Sequence, residues 1–130
     1  MYQATTHGIR VTVQPQFMEE RSAPAQNRYF WAYTVEIANL GETQVQLRTR
    51  HWRITDARGR VEEVNGPGVI GEEPVLKPGG AFTYTSGCPL TTASGIMAGS
   101  YRMEAASGER FDIEIPAFSL DSPYEAKRLN

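Results

Sequence analysis

The chain has 130 residues and a formal net charge of −2, from 13 basic and 15 acidic side chains. This length predicts a single domain, residues 1–130, that buries enough surface to fold without a disulfide or a metal. The near-neutral charge gives no general attraction to nucleic acid or to an anionic membrane, and no run of the sequence reaches transmembrane length.

Compartment and assembly are predicted from equally simple features. Cys88 is the only cysteine, so no disulfide can form within the chain and a reducing compartment is expected. The first seven residues lack the apolar centre of a signal peptide. We therefore expect a cytoplasmic protein, and we expect it to be a monomer or a weak homodimer.

The first predicted strand contains Ile9, Val11 and Val13, which alternate with polar residues. Pro15 cannot donate a ladder hydrogen bond, so the sequence predicts that this strand is interrupted there and lies at a sheet edge. Residues 19–27 are polar and predict a loop. The core is therefore expected to begin near residue 8.

Residues 28–39 form the strongest predicted strand, because aromatic and β-branched side chains dominate them. One face of this strand carries large side chains, namely Tyr29, Trp31, Tyr33, Val35 and Ile37. Trp31 is predicted to anchor the core, and its indole N–H needs an acceptor there.

The next strand changes its buried face partway along. Val45 and Leu47 are apolar at odd positions, whereas Trp52 and Ile54 are apolar at even positions. One extra residue in a strand produces such a switch, so we predict a bulge or bend near residues 48–51. The loop that follows, residues 56–59, predicts a hairpin register with Ile54 opposite Val61 and Arg53 opposite Glu62.

The second half of the chain predicts further strands. Residues 82–86 alternate, residues 88–97 predict a turn-rich connection, and Gly108 predicts a left-handed position in the last hairpin. Both faces of that hairpin agree on one register, which pairs Met103 with Phe111, Tyr101 with Ile113, Glu104 with Arg110, and Arg102 with Asp112. The final strand is expected to end at Pro116, with a packed segment to residue 120 and a frayed tail over residues 121–130.

Short strands with turn signals between them predict an all-β fold. We expect an antiparallel β-sandwich of seven to eight strands, of the immunoglobulin or fibronectin type III kind, with its core at about residues 8–120.

The sequence resembles the ApaG family over nearly its whole length. The motifs that carry the resemblance are Arg50-His-Trp52-x-Ile54-x-Asp56-x-x-Gly59, Val64-x-Gly-x-Gly-Val-Ile-Gly71, Pro74-x-Leu-x-Pro-Gly79, Phe82-x-Tyr-x-Ser86, Gly99-x-Tyr-x-Met103 and Ile115-Pro-x-Phe-x-Leu120. The resemblance implies a fibronectin type III-like sandwich and a link to cobalt resistance and magnesium efflux. Related domains in eukaryotic F-box proteins and in a polymerase-delta-interacting protein look like interaction modules. The family offers no established catalytic residues to carry over.

A glycine pattern of the G-x-G-x-x-G form is made by Gly66, Gly68 and Gly71. Such glycines can bring backbone N–H groups close to a phosphate, but a dinucleotide site needs them to lead from a strand into a helix. Pro74 and Pro78 prevent a helix here, and residues 72–73 are both glutamates. We interpret the glycines as a connection between strands that needs unusual φ angles. Pyrophosphate or nucleotide binding is the alternative.

Other candidate chemistry is sparse. Arg48, Arg50 and Arg53 lie close together on one strand and indicate either a solvated face or a site for an anion or acidic partner beside the glycines. His51 and Cys88 lack metal-ligand spacing, so no metal or cofactor is expected. An enzyme acting on a phosphorylated metabolite through these two residues is a further hypothesis, although nothing in the sequence positions a base. We predict a non-catalytic module that binds a protein partner, with a phosphate-containing small molecule as the alternative ligand.

Overall fold

The computed structural model describes residues 1–125, which form nine strands and two single-turn 3-10 helices, Glu19–Arg21 and Pro24–Gln26. The strands are β1 (Tyr2–Thr6), β2 (Ile9–Phe17), β3 (Tyr29–Asn39), β4 (Val45–Asp56), β5 (Val61–Pro67), β6 (Val75–Leu76), β7 (Ala81–Leu90), β8 (Gly95–Ala105) and β9 (Arg110–Leu120). No helix within residues 1–125 is both long and apolar enough to cross a membrane.

The strands form two antiparallel sheets, which confirms the predicted β-sandwich. The first sheet has the order β1-β2-β3-β7, and the second has the order β5-β4-β8-β9, with β6 paired to the first residues of β4. Apolar side chains from the inner faces of both sheets make one core. The count exceeds the predicted seven to eight because β1 and the two-residue β6 carry little apolar alternation.

The predicted switch of face in β4 is confirmed as a β-bulge. The pairing of β4 with β8 shifts register between Leu47 and Thr49, which leaves Arg48 as the extra residue. Before the bulge Leu47 points into the core, and after it the buried residue is Trp52. Arg50 therefore lies on the inner face of the sheet together with Trp52.

Two proline predictions are wrong, because both strands continue through the proline. Pro15 lies inside β2, which is flanked by β1 and β3 and is therefore not an edge strand. Because β1 pairs only with residues 9–13, the proline lies beyond the end of β1. Pro116 lies inside β9 at a second bulge, where the register with β8 shifts between Met97 and Gly99. Both places tolerate a residue that cannot donate a ladder hydrogen bond.

The two predicted hairpin registers have different outcomes. All four pairs predicted between β8 and β9 are confirmed, and Gly108 has a φ of +90°. The register predicted between β4 and β5 is wrong by one residue, since Ile54 pairs with Glu62. The Asp56 carboxylate accepts hydrogen bonds from the amides of Arg58 and Arg60, and Gly59 has a φ of +84°. These features close a loop of three residues where four were expected.

Two further segments differ from the sequence predictions. The expected turn over residues 88–97 is shorter, because β7 extends to residue 90 and β8 begins at residue 95. Residues 121–125, assigned to a frayed tail, contact the sandwich. The indole Nε1 of Trp31 donates to the Asp121 carbonyl at 2.8 Å, and Ser122 Oγ donates to the Ala93 carbonyl at 2.6 Å. The rest of the predicted tail, residues 126–130, lies outside the described residues.

Candidate functional site

The glycine-rich segment forms a tight hairpin directly after β5. Val69 and Glu72 exchange two backbone hydrogen bonds, of 2.8 and 2.9 Å. The two residues between them, Ile70 and Gly71, have φ angles of +44° and +79°. Positive φ at both central positions is typical of a type I′ turn. The segment therefore runs from strand to turn, without the helix N-terminus of a dinucleotide site.

Gly68 holds this hairpin against β4. Its amide donates to the carbonyl of the bulge residue Arg48 at 2.9 Å, so that N–H group is already bound within the protein. Its φ is +60°, and a β-carbon at this position would lie 2.2 Å from the carbonyl oxygen of Glu72. Glycine is therefore required at position 68 for both the conformation and the close approach of backbone.

Arg50 joins the same hairpin from the inner face of the sheet. Its Nη1 donates to the carbonyl of Pro67 at 2.9 Å and to the carbonyl of Gly68 at 3.0 Å. Gly66 is the register partner of Arg50, and the guanidinium covers it. The structure thus brings Arg50 together with two of the three predicted glycines, and it uses the guanidinium to hold backbone carbonyls.

The three predicted arginines do not form one surface. The side chain of Arg48 pairs with Glu73, with 3.3 Å between Nε and Oε1. Arg53 is exposed on the outer face of the second sheet, opposite Glu63 in the ladder. The bulge separates Arg48 from the others, and strand alternation then directs Arg50 and Arg53 to opposite faces.

Three tyrosines lie buried near Arg50. The hydroxyls of Tyr84 and Tyr101 are hydrogen-bonded to each other, and Tyr33 is the register partner of Ser86 across the ladder of β3 and β7. Burial raises the pKa of each of these hydroxyls above its ordinary value, and the positive charge of Arg50 partly opposes that rise. The tyrosines are therefore neutral hydrogen-bonding groups at physiological pH.

One lateral side of the sandwich is closed. There β1 and β9 lie against each other, and the amide of Glu114 donates to Oγ1 of Thr6 at 3.2 Å. Beside them the rings of His7 and Phe111 pack edge to face, with their centroids 5.2 Å apart.

The other lateral side, between β5 and β7, is open and forms a cleft. Its inner part, of about 280 Å³, lies between the sheets beside Trp52, Val64 and Ser86. Its outer part, of about 540 Å³, extends past Tyr29 and Leu90. Ile54, Glu62 and Pro89 line both parts, which are therefore adjoining. We call this feature the lateral cleft.

The residues of the enzyme hypothesis are not brought together. Cys88 is buried on the inner face beside the lateral cleft, and burial raises the pKa of its thiol to about 11, with the Glu62 carboxylate as a second cause. His51 lies on the outer face, where its Nε2 is 2.9 Å from Glu63 Oε1. Within residues 1–125, no three histidine, cysteine or acidic residues are grouped so that they could hold a metal ion.

The pattern of residues along the chain does not predict the lateral cleft. A cleft of this kind depends on how two sheets diverge, which strand periodicity does not encode. One signal could have been used, since β7 contains no charged residue over its whole length. Long strands without charge are typical of the interior of a sheet, whereas β7 lies at an edge.

Fold and site together define a two-sheet antiparallel sandwich with one closed and one open lateral side. Comparison with known proteins then gives the family. The model of the ApaG domain matches residues 19–105, and the chain belongs to the ApaG domain family.

Relatives match over essentially the full chain. Protein ApaG of Methylorubrum populi is 64% identical over 124 residues and covers 95% of each chain. Protein ApaG of Azorhizobium caulinodans is 62% identical over all 130 residues. A crystal structure from Bordetella pertussis that carries the name ApaA superposes with a TM-score of 0.87 at 46% identity, covering 89% of this chain and 94% of that one.

Proposed function

We propose that this chain is a non-catalytic interaction module that binds a protein partner in the lateral cleft. The observation that carries the proposal is the open side of the sandwich. A cleft lined by Trp52, Ile54 and Val64 lies there next to the edge of β7, which pairs with no further strand in the described part of the chain. Clefts with apolar walls and a few polar groups are the usual sites of binding in proteins.

The same proposal covers the link of the family to cobalt resistance and magnesium efflux. We propose that this link acts through the protein partner, with no metal bound by this chain. The proposal is supported by the placement of His51 on the outer face of the second sheet and of Cys88 on the inner face of the first sheet, so the two side chains cannot bind one metal ion together.

A photo-crosslinking side chain placed in the cleft tests the proposal in cells. Val61 lines the outer part of the cleft and is 48% exposed, whereas Val75 on β6 is 50% exposed and lies outside it. We expect a crosslinker at position 61 to give a discrete product with a second protein, and a crosslinker at position 75 to give none. Identical products from both positions, or none from either, would contradict the proposal.

The nucleotide alternative has its own test. An amide-resolved NMR titration with diadenosine tetraphosphate, first without and then with magnesium, reports directly on Gly66, Gly68 and Gly71. We expect no saturable shifts at millimolar ligand, because the Gly68 amide is bound to Arg48 and the Arg50 guanidinium to carbonyls. Shifts of the hairpin amides that saturate at micromolar ligand would favour the small-molecule function instead.

A further inference from the structure

Within residues 1–125, the edge of β7 that faces the lateral cleft pairs with no other strand. β7 is the last strand of its sheet and pairs with β3 along all ten of its residues. No residue of β7 is charged. Natural proteins usually protect such an edge with charges, shortness or a covering segment, because an uncovered edge accepts another strand.

The backbone groups on this edge can be assigned. The amide of Phe30 donates to Ser22 Oγ, and its carbonyl accepts from the Met18 amide, so the Phe30 backbone is directed toward β2. Pro89 is the register partner of Phe30, and its backbone is therefore directed away from β3. By alternation the same holds for the other odd-numbered residues of β7, which are Ala81, Thr83, Thr85 and Gly87.

The remaining edges of the sandwich are protected. β5 carries Glu62 and Glu63 and ends in Pro67. β9 carries three charged side chains and Pro116, and β1 is only five residues long and lies against β9. Among the edges of the two sheets, β7 thus offers both length and an absence of charge, and its one proline, Pro89, removes an outward N–H group only near the end of the strand.

We infer that β7 takes up an extended peptide segment of the partner protein as an additional strand of the first sheet, with an apolar side chain in the inner part of the lateral cleft and a lysine or arginine facing Glu62. This inference rests on the proposed function and specifies its partner. Strand addition of this kind obtains affinity from backbone hydrogen bonds and selectivity from pockets for alternate side chains.

The inner wall of the cleft determines what the added strand carries. Inward-facing side chains of the new strand meet Trp52, Ile54 and Val64, which favour apolar groups. Glu62 lies on the same inner face, and within the described residues no basic side chain forms an ion pair with it. A docked strand reduces the hydration of this carboxylate, so a cationic side chain opposite it avoids the cost of an unpaired charge.

The same charge argues against a second copy of this chain as the occupant. A copy that docked through its own β7 would bring its β5 to the same place. Glu62 and Glu63 of both copies would then lie close together, and like charges at an interface oppose association. A separate peptide with one basic residue opposite Glu62 brings no second pair of carboxylates to this place.

The test uses the whole chain and a pool of synthetic peptides of about nine residues, the length of a typical strand. Alternate positions are threonine, and the inward positions are varied over apolar, basic and acidic side chains. We expect selection on the protein to enrich peptides with apolar residues and one basic residue. We expect the selected peptide to shift the amides of Thr83, Thr85 and Gly87.

Two matched controls make the test specific. Glu62 and Glu63 are adjacent exposed glutamates on opposite faces of β5. Glu62→Lys should weaken binding of the selected peptide about tenfold or more, whereas Glu63→Lys should weaken it less than about twofold. A peptide with an acidic residue in place of the basic one should bind the Glu62→Lys variant with recovered affinity. N-methylation of the peptide amides that face β7 should abolish binding. N-methylation of the amides on the opposite edge of the peptide should leave binding intact.

Each remaining outcome overturns the inference. These outcomes are selection without enrichment, binding that is indifferent to N-methylation or to Glu62→Lys, and concentration-dependent β7 shifts of the protein alone that report a homodimer. If the crosslinker at position 61 still captures a partner in any of these cases, the proposed function stands and only strand addition fails. Loss of the crosslink as well would remove both.

Discussion

The guanidinium of Arg50 lies over Gly66, so closely that a β-carbon at position 66 would stand 3.0 Å from both of its terminal nitrogens. The two residues face each other across the ladder of β4 and β5. With its bonds to the carbonyls of Pro67 and Gly68, this one side chain joins the bulged strand to the hairpin that follows β5.

We expect Arg50→Ala to lower the free energy of unfolding by about 1–2 kcal/mol, because two hydrogen bonds from a charged donor are lost. Arg50→Lys should recover only part of this loss, since an ammonium lacks the planar fork. Urea denaturation gives the energy, and amide exchange at Val69 and Glu72 shows whether the hairpin loosens. The exposed Arg53→Ala is the control, expected within about 0.5 kcal/mol of the parent. Equal stability of the Arg50 and Arg53 variants would contradict the assigned role.

Gly68 and Gly71 form a second matched pair. Both have positive φ, but a β-carbon at position 68 would clash with the Glu72 carbonyl, whereas nothing lies within 4 Å of one at position 71. Gly71→Ala should therefore cost about 1 kcal/mol, the price of left-handed backbone alone. Gly68→Ala should cost about 3 kcal/mol or more, because the backbone must also move. Thermal or urea unfolding of the two variants measures this difference. Equal losses in the free energy of unfolding would show that the turn relaxes around the added β-carbon.

The hydroxyls of Tyr84 and Tyr101 should be coupled energetically. Removing either one by a Tyr→Phe change leaves the other hydroxyl buried without this partner, which should cost about 1–3 kcal/mol. The double variant should cost clearly less than the sum of the two single changes. A double-mutant cycle in urea measures the coupling. Strict additivity would mean that each hydroxyl finds another partner.

Cys88 should react slowly and make stability sensitive to alkali. Because the pKa of this thiol is about 11 in the fold, its thiolate fraction at pH 8 is about two orders of magnitude below that of a free thiol. Modification of the folded protein by a disulfide reagent should be slower by a similar factor, and unfolding in urea should restore the ordinary rate. The unfolded thiol loses its proton first as pH rises. The contribution of the buried Cys88 thiol to the free energy of unfolding is therefore fully present below about pH 8.5 and is lost as pH rises toward 11. Cys88→Ala should show less of this decline, and rapid native labelling at pH 8 would contradict the assignment.

The sequence predicted most reliably those pairings in which two independent patterns agree. Between β8 and β9 the apolar pairs and the charged pairs select the same register, so all four predicted pairs are found. Between β4 and β5 the prediction rested on the length of the loop alone. The Asp56 carboxylate and the left-handed Gly59 shorten that loop by one residue, which moves Glu62 from the expected position opposite Arg53 to one opposite Ile54.

The candidate site was less predictable because it depends on relations between strands. The bulge was evident from the change of face between Leu47 and Trp52, yet its effect on the arginines required the structure. Arg50 turns inward to the glycines, while Arg48 and Arg53 are directed elsewhere. The lateral cleft has no counterpart in strand periodicity, since it results from two sheets that meet at β1 and β9 and part at β5 and β7.

The anchoring of Tyr124 determines what a fused segment would experience. Its ring lies 6.3 Å from that of Tyr29, a residue of the outer cleft, and its hydroxyl donates to Glu19. A strand genetically joined to the chain shortly after Tyr124 is thus tethered at the mouth of the cleft, at an effective concentration of about a millimolar or more. Partners too weak to isolate as separate molecules become accessible to crystallography as a single chain.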